Sequence, residues 1–155
     1  SVASRWVNRY QSEKLCGSTN YNLQEWSDLV QEITFYFQNL DIYQIGKKLA
    51  IETYRLTKKF PQEEKFCLIN QMNRSAISIP SNIAEGVSRK GKKDKIHFLN
   101  IAFASLMELV CQTEISNELG YLSREEFCDF THKAKNFVVK LHNYITYLER
   151  EAAEL

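Results

Sequence analysis

The sequence predicts an all-α protein, an up-down-up-down four-helix bundle with an N-terminal add-on segment. Glycine (5) and proline (2) are scarce among its 155 residues, whereas a sandwich or barrel must turn every ~10 residues. Apolar residues recur at alternating spacings of three and four in successive stretches of about 20 to 30 residues. Short connections between these stretches are typical of antiparallel neighbours in a bundle.

The composition is that of a globular domain in a reducing compartment. Hydrophobic residues make up 44% and charged residues 25%, which excludes wholesale disorder. The net charge is only +1, so any affinity for nucleic acid must come from local clustering. No apolar stretch approaches the ~18 residues of a membrane span, and we expect no membrane partner.

The four cysteines include no CxxC pair. Cys67, Cys111 and Cys128 lie among apolar residues, which predicts buried free thiols and a cytoplasmic location.

The first residues differ in pattern from the rest of the chain. Asn22 and Glu25 fit a capping-box-like helix start, and a loop-like stretch precedes them. We expect residues 1–34 to form an N-terminal extension of one or two short helices and a loop; sequence that is not native to the protein, or that binds a partner, is an alternative for part of it. Residues 35–155 then form the four-helix bundle domain.

The first two bundle helices follow from their apolar stripes. Helix one is predicted over about 40–59 and ends before Pro61. Helix two is predicted from Glu63 to Gly86, with Gly86 as its C-terminal cap. Pro80 lacks an amide hydrogen, which predicts a kink or a one-turn break near Ile79, either as a bend around the core or as a functional hinge. The stripe of helix two comprises Phe66, Ile69, Met72, Asn73, Ala76, Ile77, Ile83 and Ala84.

Helix three, predicted over about Lys93 to Leu119, is apolar around nearly its whole circumference. A helix of a four-helix monomer should be apolar along one stripe only. Its second side must therefore be covered, either by the N-terminal segment or by a neighbouring subunit, and we favour self-association. The narrow polar stripe consists of His97, Asn100, Glu108 and Gln112.

Local signals mark the boundary between helices three and four. Gly120 is predicted to close helix three. Ser123 and Glu126 form the S-x-x-E capping box that opens helix four. Its apolar rhythm continues almost to the end of the chain, where residues 149–155 are expected to be frayed.

A basic segment joins helices two and three. Residues 89–95 contain five basic residues and one acid, and lysines crowd the N-terminus of helix three, where each positive charge is disfavoured by ~0.3–1 kcal/mol. Unpaired amides and lysines together favour anions such as phosphate. The alternative is a solvated loop whose charges only aid solubility. The candidate phosphate contacts are Arg89, Lys90, Lys92, Lys93 and Lys95.

Signals for catalysis or base stacking are weaker. Most aromatic residues lie on helical stripes and are expected in the core; Tyr144 and Tyr147 are the candidates for exposed rings, and stacking on bases requires such rings beside the basic segment. The histidines and cysteines lack the spacing of zinc sites, and no P-loop, GxGxxG or GxSxG occurs. We therefore expect no enzymatic activity, no cofactor and no metal.

Two segments resemble a known family. SIPSNIAEG (residues 78–86) and YRLTKKFP (residues 54–61), with shorter matches at residues 88–90 and 118–122, resemble the bacterial four helix bundle proteins encoded in intervening sequences of large-subunit ribosomal RNA genes. The resemblance covers about Phe37 to Glu149. It implies a four-helix bundle that assembles as a homopentamer, but no settled activity.

A more distant resemblance implies partners. Related proteins, the accessory variability determinants of diversity-generating retroelements, form basic pentamers that bind nucleic acid and a reverse transcriptase. By analogy, the expected partners are RNA or DNA and a reverse transcriptase. The net charge of +1 is less basic than this analogy leads one to expect.

The SIPSNIAEG segment has two interpretations. Its small residues allow close packing of a kinked helix, with Asn82 or Glu85 bonded inside the bundle or to a neighbour. Alternatively, Arg74, Asn82 and Glu85 form a polar surface at the mouth of the oligomer, near the basic segment.

Together these features predict an oligomeric helical module that binds nucleic acid non-specifically. The basic segment would be repeated around the ring, and several copies would act on one strand. The alternative is a protein-protein adaptor or structural scaffold, such as a partner of a reverse transcriptase, without catalytic activity.

Overall fold

Four α-helices account for most of the residues that the computed structural model describes, 35–153. The chain divides into two units, Ser1–Thr34 and Phe35–Leu155, and the expectations for residues 1–34 lie outside the described part. No strand occurs in residues 35–153, so the predicted all-α bundle is confirmed. The helices are α1 (Asp41–Thr57), α2 (Leu68–Ser88), α3 (Lys92–Glu118) and α4 (Arg124–Ala153), with short 3₁₀ helices at Tyr36–Asn39 and Gln62–Phe66.

The helices alternate in direction around one core. Each helix packs against the next in sequence, and α4 also contacts α1. One end of the bundle therefore gathers the first 3₁₀ helix, the start of α1, the α2–α3 connection and the end of α4. We call this end the basic end, because it carries residues 89–95.

The core is built from one face of each helix. Leu49 of α1, Ile79 of α2, Leu106 of α3 and Phe137 of α4 are each no more than 1% exposed. At ~25 cal/mol per Å² of buried apolar surface, such side chains each contribute on the order of 2 kcal/mol. This shared core fixes the helices that carry the basic end.

Helix α2 passes through Pro80 without interruption, so the predicted one-turn break is wrong. Ile79 and Ile83 are fully buried and anchor the helix in the core on both sides of the proline. Opposite this point α1 carries Gly46, where a Cβ would lie 3.1 Å from Ile79 Cγ2. The small residue allows α1 to approach the proline turn closely.

The ends of helix two differ from the prediction. Glu63 lies in the 3₁₀ helix Gln62–Phe66, and α2 begins only at Leu68, because the backbone of Cys67 (φ −109°, ψ −105°) interrupts the helical path. Phe66 consequently does not join the core stripe and is 81% exposed. Ile77, also predicted on that stripe, is 46% exposed.

Gly86 is an interior residue of α2 and not its cap, since the helix continues to Ser88. A Cβ at this position would lie 2.9 Å from Phe98 Cβ and 3.2 Å from the backbone oxygen of Lys95. The glycine therefore allows α2 and α3 to touch backbone to backbone at the basic end. This contact holds the α2–α3 connection in place.

Helix α3 exposes part of its apolar surface. Leu99, Leu106 and Leu109 are fully buried on its inner side. On the solvent side of α3, five residues at intervals of four positions form a row, and all of them are exposed. We call this row the α3 ridge; it comprises Phe103 (38%), Met107 (39%), Cys111, Ile115 (44%) and Leu119 (54%).

The polar stripe predicted on α3 is only partly on the surface. Gln112 is 8% exposed and its amide nitrogen donates to Glu108 Oε1 at 3.1 Å. Its side-chain oxygen is buried without a hydrogen-bond partner in the described part of the chain. One edge of the polar stripe therefore turns inward, where α3 meets two neighbouring helices.

The signals between α3 and α4 are confirmed. Gly120 has φ +77°, and the amides of Gly120 and Tyr121 donate to the carbonyls of Asn117 and Ser116 in a Schellman motif. The amide of Glu126 donates to Ser123 Oγ at 3.1 Å, and the amide of Ser123 donates to Glu126 Oε2 at 3.0 Å. Helix α4 then continues to Ala153, so the predicted fraying from residue 149 is wrong up to that residue.

The cysteines of the bundle are free but not buried. Cys67, Cys111 and Cys128 are all exposed, which corrects the predicted burial. Cys67 precedes the first turn of α2, and Cys111 belongs to the α3 ridge; apolar sequence neighbours did not place these thiols in the core. Cys16 lies outside the described residues.

One helix of the described part, α3, is long and apolar enough by composition to cross a membrane. Its inner face belongs to the core of the bundle, and a core helix passes the same test, so this is weak evidence for a membrane span.

Candidate functional site

The basic segment lies at the tight junction between α2 and α3. α2 ends at Ser88 and α3 begins at Lys92, with Gly91 as the N-cap. Gly91 offers no side chain to cap the helix, and the first intrahelical bond is from the Lys95 amide to the Gly91 carbonyl, at 3.1 Å. The amides of the first turn therefore point out of the helix end beside the basic side chains.

Arg89 is held against the bundle by two contacts. Its guanidinium forms an ion pair with Glu85 one turn earlier in α2. Its guanidinium carbon also lies 4.8 Å from the centroid of the Phe98 ring, in a cation–π contact. Both partners of the ion pair are 47% exposed, so Arg89 can exchange Glu85 for another anion.

Lys92 connects the start of α3 with the end of α4. Its ammonium group donates to the backbone carbonyl of Glu151 and lies 3.7 Å from Glu151 Oε2. The side chain of Lys92 is 29% exposed. Lys92 therefore helps to position the loop. It contacts an external anion only when its own contacts with Glu151 are broken.

The remaining three basic residues have no ion-pair partner in residues 35–153. Lys90 and Lys93 are exposed, and Lys95 is half-buried. Asp94 is the single acid in the first turn of α3. The structure thus divides the five candidates into two anchored cations and three uncompensated ones.

Tyrosines surround the Lys92–Glu151 contact. The ring centroids of Tyr144 and Tyr147 are 6.5 Å apart with an interplanar angle of 26°. Interaction with the Glu151 carboxylate one turn later raises the pKa of Tyr147, and burial is the main reason that the pKa of Tyr144 is raised. Tyr36, from the first 3₁₀ helix, lies near both rings, and its proximity contributes to the raised pKa of Tyr144 and of Tyr147. These rings belong to the same end of the molecule as the basic segment.

The polar residues of the SIPSNIAEG region do not converge on one another. Asn82 donates to the Ser78 carbonyl at 2.8 Å and to Ser78 Oγ at 2.9 Å, and Glu85 pairs with Arg89. Arg74 is exposed and lies eight residues, or roughly 12 Å, earlier along α2 than Asn82. Only Glu85 directly contacts the basic segment.

A second surface feature lies between α1 and α4. A groove of about 740 Å³ runs between these helices, with Ile45, Ile51 and Val139 among its apolar walls. Charged groups border it: Lys133 bonds Glu52 at 2.9 Å, and Lys140 bonds Asp41 at 2.9 Å. Val139 is 60% exposed, which shows how open the groove is.

Within the described residues no three His, Cys, Asp or Glu side chains form a group that could hold a metal ion. His97 is exposed at the start of α3, and His132 and His142 lie on α4, ten residues apart. The part of the chain that the structure describes therefore offers no constellation for metal chemistry.

Sequence reasoning missed the tyrosine cluster and Glu151. Tyr144 and Tyr147 were identified as candidates for exposure, but the spacing within α4 says nothing about Tyr36 or Lys92. Glu151 fell in the stretch expected to be frayed. A continuous helical rhythm up to Leu148 was the available signal that α4 reaches the basic end.

Comparisons with known proteins agree with this architecture. A crystal structure of a protein with unknown function from the S23 ribosomal protein family of Bacteroides thetaiotaomicron matches with a TM-score of 0.63 and 26% identity. The match covers 67% of this chain and 97% of that chain. The comparison with curated proteins gives no match.

A family model supplies the assignment. The model described as 23S rRNA-intervening sequence protein matches residues 38–143, which is more than half of the chain and includes α1, α2, α3 and most of α4. The chain therefore belongs to the family of 23S rRNA-intervening sequence proteins.

Proposed function

We propose that the protein binds nucleic acid non-specifically through the basic segment, as an oligomer that presents several copies of it. The observation that carries the proposal is the group of uncompensated lysines at the start of α3. Lys93 and Lys95 lie in the first turn, where the helix dipole disfavours cations, and no acidic side chain of the described residues neutralises them. A phosphate backbone supplies the missing negative charge.

The anchored cations support the same binding. Arg89 and Lys92 fix the loop through Glu85 and Glu151, so less conformational entropy is lost when the loop binds an anion. Phosphate contacts position a nucleic acid without reading its sequence, so the expected binding is non-specific. Both RNA and DNA fit this chemistry.

The α3 ridge supports self-association. Its apolar side chains follow a four-residue spacing, the row that interdigitates when helices pack against each other. We propose that a second copy covers the ridge and that the assembly is a homopentamer with five basic segments. Multivalency then raises the affinity of a site that is weak in a single copy.

A salt titration tests the proposal. The affinity for labelled RNA and duplex DNA is measured against salt concentration for the wild type and a variant with Lys90, Lys93 and Lys95 changed to Gln. Each lost phosphate contact flattens the log–log salt dependence by about 0.7 for a single strand, so the triple substitution flattens it by about 2 for each basic segment that engages the strand. Salt-independent binding, or a triple variant that binds like the wild type, contradicts the proposal.

The matched control changes the same number of charges elsewhere. Lys48, Lys58 and Lys135 are exposed and have no ion-pair partner in residues 35–153. Their replacement by Gln alters the net charge equally and leaves the basic end intact. We expect the control to retain most of the wild-type affinity.

Solution mass tests the assembly. A homopentamer has five times the monomer mass of 18.2 kDa. A Met107→Glu substitution introduces a charge in the middle of the α3 ridge; because Met107 is 39% exposed, the new carboxylate can reach solvent in the monomer and we expect the fold to be retained. We expect this variant to dissociate; a wild-type protein that is monomeric at all concentrations refutes the ring.

The groove between α1 and α4 favours a second candidate function. An open apolar groove with Val139 and Ile51 exposed is suited to a helix of a partner protein, as in an adaptor or a partner of a reverse transcriptase. This role predicts weak retention of nucleic acid and a partner interaction that a Val139→Glu substitution abolishes. The salt titration therefore separates the two functions.

A further inference from the structure

Three tyrosines meet at the basic end, and two of them face the solvent. Tyr36 is 66% exposed and Tyr147 is 54% exposed, whereas Tyr144 is half-buried between them and the core. The Tyr144 ring stacks on the Tyr147 ring, with the two centroids 6.5 Å apart, and this contact helps to fix the position of Tyr147. The outer faces of the Tyr36 and Tyr147 rings do not pack in the core, so packing does not require an aromatic residue there.

The tyrosines and the basic segment form one continuous surface. Tyr147 lies one helical turn before Glu151 on α4, and Glu151 Oε2 lies 3.7 Å from Lys92 Nζ. Lys93, the next residue, is exposed. A ligand that covers Tyr147 therefore extends directly onto the cations at the start of α3.

The chemistry of this surface distinguishes unpaired from paired bases. Lysines contact phosphates of any nucleic acid, but an aromatic ring stacks only on a base whose face is free. A duplex hides its base faces within the helical stack.

We propose that Tyr36 and Tyr147 form a stacking platform for unpaired bases of single-stranded nucleic acid, whose backbone continues onto the basic segment. This inference rests on the proposed function and narrows its ligand to single strands. Tyr144 is a positioning residue in the platform. Selectivity arises from strandedness and not from base identity.

Three probes of equal length test the platform: fluorescein-labelled oligo(dT), a labelled DNA duplex and a labelled abasic strand. Binding is followed by fluorescence anisotropy at low salt. The abasic strand carries the same phosphates without bases, so it isolates the electrostatic part of binding. We expect oligo(dT) to bind more tightly than both other probes.

Variants assign the preference to the rings. Changing Tyr36 and Tyr147 together to Ala is expected to weaken oligo(dT) binding by roughly 5- to 100-fold per ring and to leave abasic binding unchanged. Changing both to Phe keeps the rings and is expected to retain the preference. Tyr54→Ala is the matched control, because Tyr54 is 40% exposed on α1 and not in the platform.

Each outcome has a defined meaning. Equal affinity for oligo(dT) and the abasic strand, or an Ala variant that keeps its preference for oligo(dT), overturns the platform while salt-dependent binding still supports the basic segment. Absence of binding to every probe overturns both the platform and the proposed function. Thermal unfolding of the Ala and Phe variants is the control that shows whether both are folded.

Discussion

Replacing Gly86 by Ala tests whether the basic end depends on the backbone contact between α2 and α3. The new Cβ would lie 2.9 Å from Phe98 Cβ, and ordinary contact begins at 3.4 Å, so the helices must separate by about half an ångström. The opposing atoms are a Cβ and the Lys95 backbone oxygen, neither of which can rotate away. Overpacking of this kind costs ~1–3 kcal/mol.

Helix propensity acts in the opposite direction. Gly to Ala within a helix stabilises by about 1 kcal/mol, and this gain only partly offsets the overpacking. Because an approach of 2.9 Å between two Cβ atoms places the overpacking in the upper part of its range, we expect Gly86→Ala to lower the free energy of unfolding by ~1–2 kcal/mol and the midpoint temperature by about 3–8 °C. Urea denaturation followed by circular dichroism measures the difference.

Gly46→Ala provides the comparison. Its Cβ would meet the tips of the Ile79 and Ile83 side chains at 3.1 and 3.4 Å, and such methyl groups can move by a small rotation. We expect its unfolding free energy to remain within ~1 kcal/mol of the wild type. The reasoning fails if Gly86→Ala is as stable as the wild type or less harmful than Gly46→Ala.

Three further substitutions probe charge and capping. Glu151→Gln removes the carboxylate charge 3.7 Å from Lys92 Nζ but keeps the backbone carbonyl that anchors this lysine, so it is expected to tighten nucleic-acid binding by about 2- to 5-fold at low salt, measured by anisotropy. Ser123→Ala removes the acceptor for the Glu126 amide and is expected to cost ~1 kcal/mol in urea denaturation. The hydrogen bond from Lys59 lowers the pKa of Glu126 below the usual 4.5, so this pair stabilises the fold above pH 4.5, and the stabilisation is lost as the pH falls through the folded value. Lys59→Met should make the stability of the protein less dependent on pH in that acidic range.

Each of these expectations has an opposite result that contradicts it. Unchanged or weaker binding by Glu151→Gln means that Lys92 does not reach the ligand. A Ser123→Ala variant of wild-type stability means that the capping box is dispensable. An acid-unfolding profile of Lys59→Met that coincides with the wild-type profile removes the pair with Glu126 from the pH response.

The bundle was predictable because its signals are local. The three-four rhythm, the Gly120 stop and the Ser123–Glu126 capping box each depend on residues within a turn or two of one another. Gly86 shows the limit of such reasoning. A glycine near a helix end suggests a cap, but here its meaning comes from Phe98 on the next helix.

The candidate site was only half predictable. The basic segment is contiguous in sequence, and its lysines could be identified from composition and their position at a helix start. The contacts that distinguish Lys92 from Lys93 come from α4, and the exposed ring of Tyr36 reaches Tyr144 from the opposite end of the described chain. Such long-range contacts depend on how the helices pack against one another. The spacing of residues within a single helix does not report this packing.

The free thiols make the assembly accessible to chemical footprinting. Cys111 lies on the α3 ridge between Met107 and Ile115, whereas Cys67 and Cys128 lie at the end of the bundle away from the basic segment. Alkylation followed by mass spectrometry therefore contains its own internal reference. Burial of the ridge between subunits would slow the modification of Cys111 relative to the other two, and dilution would restore its rate.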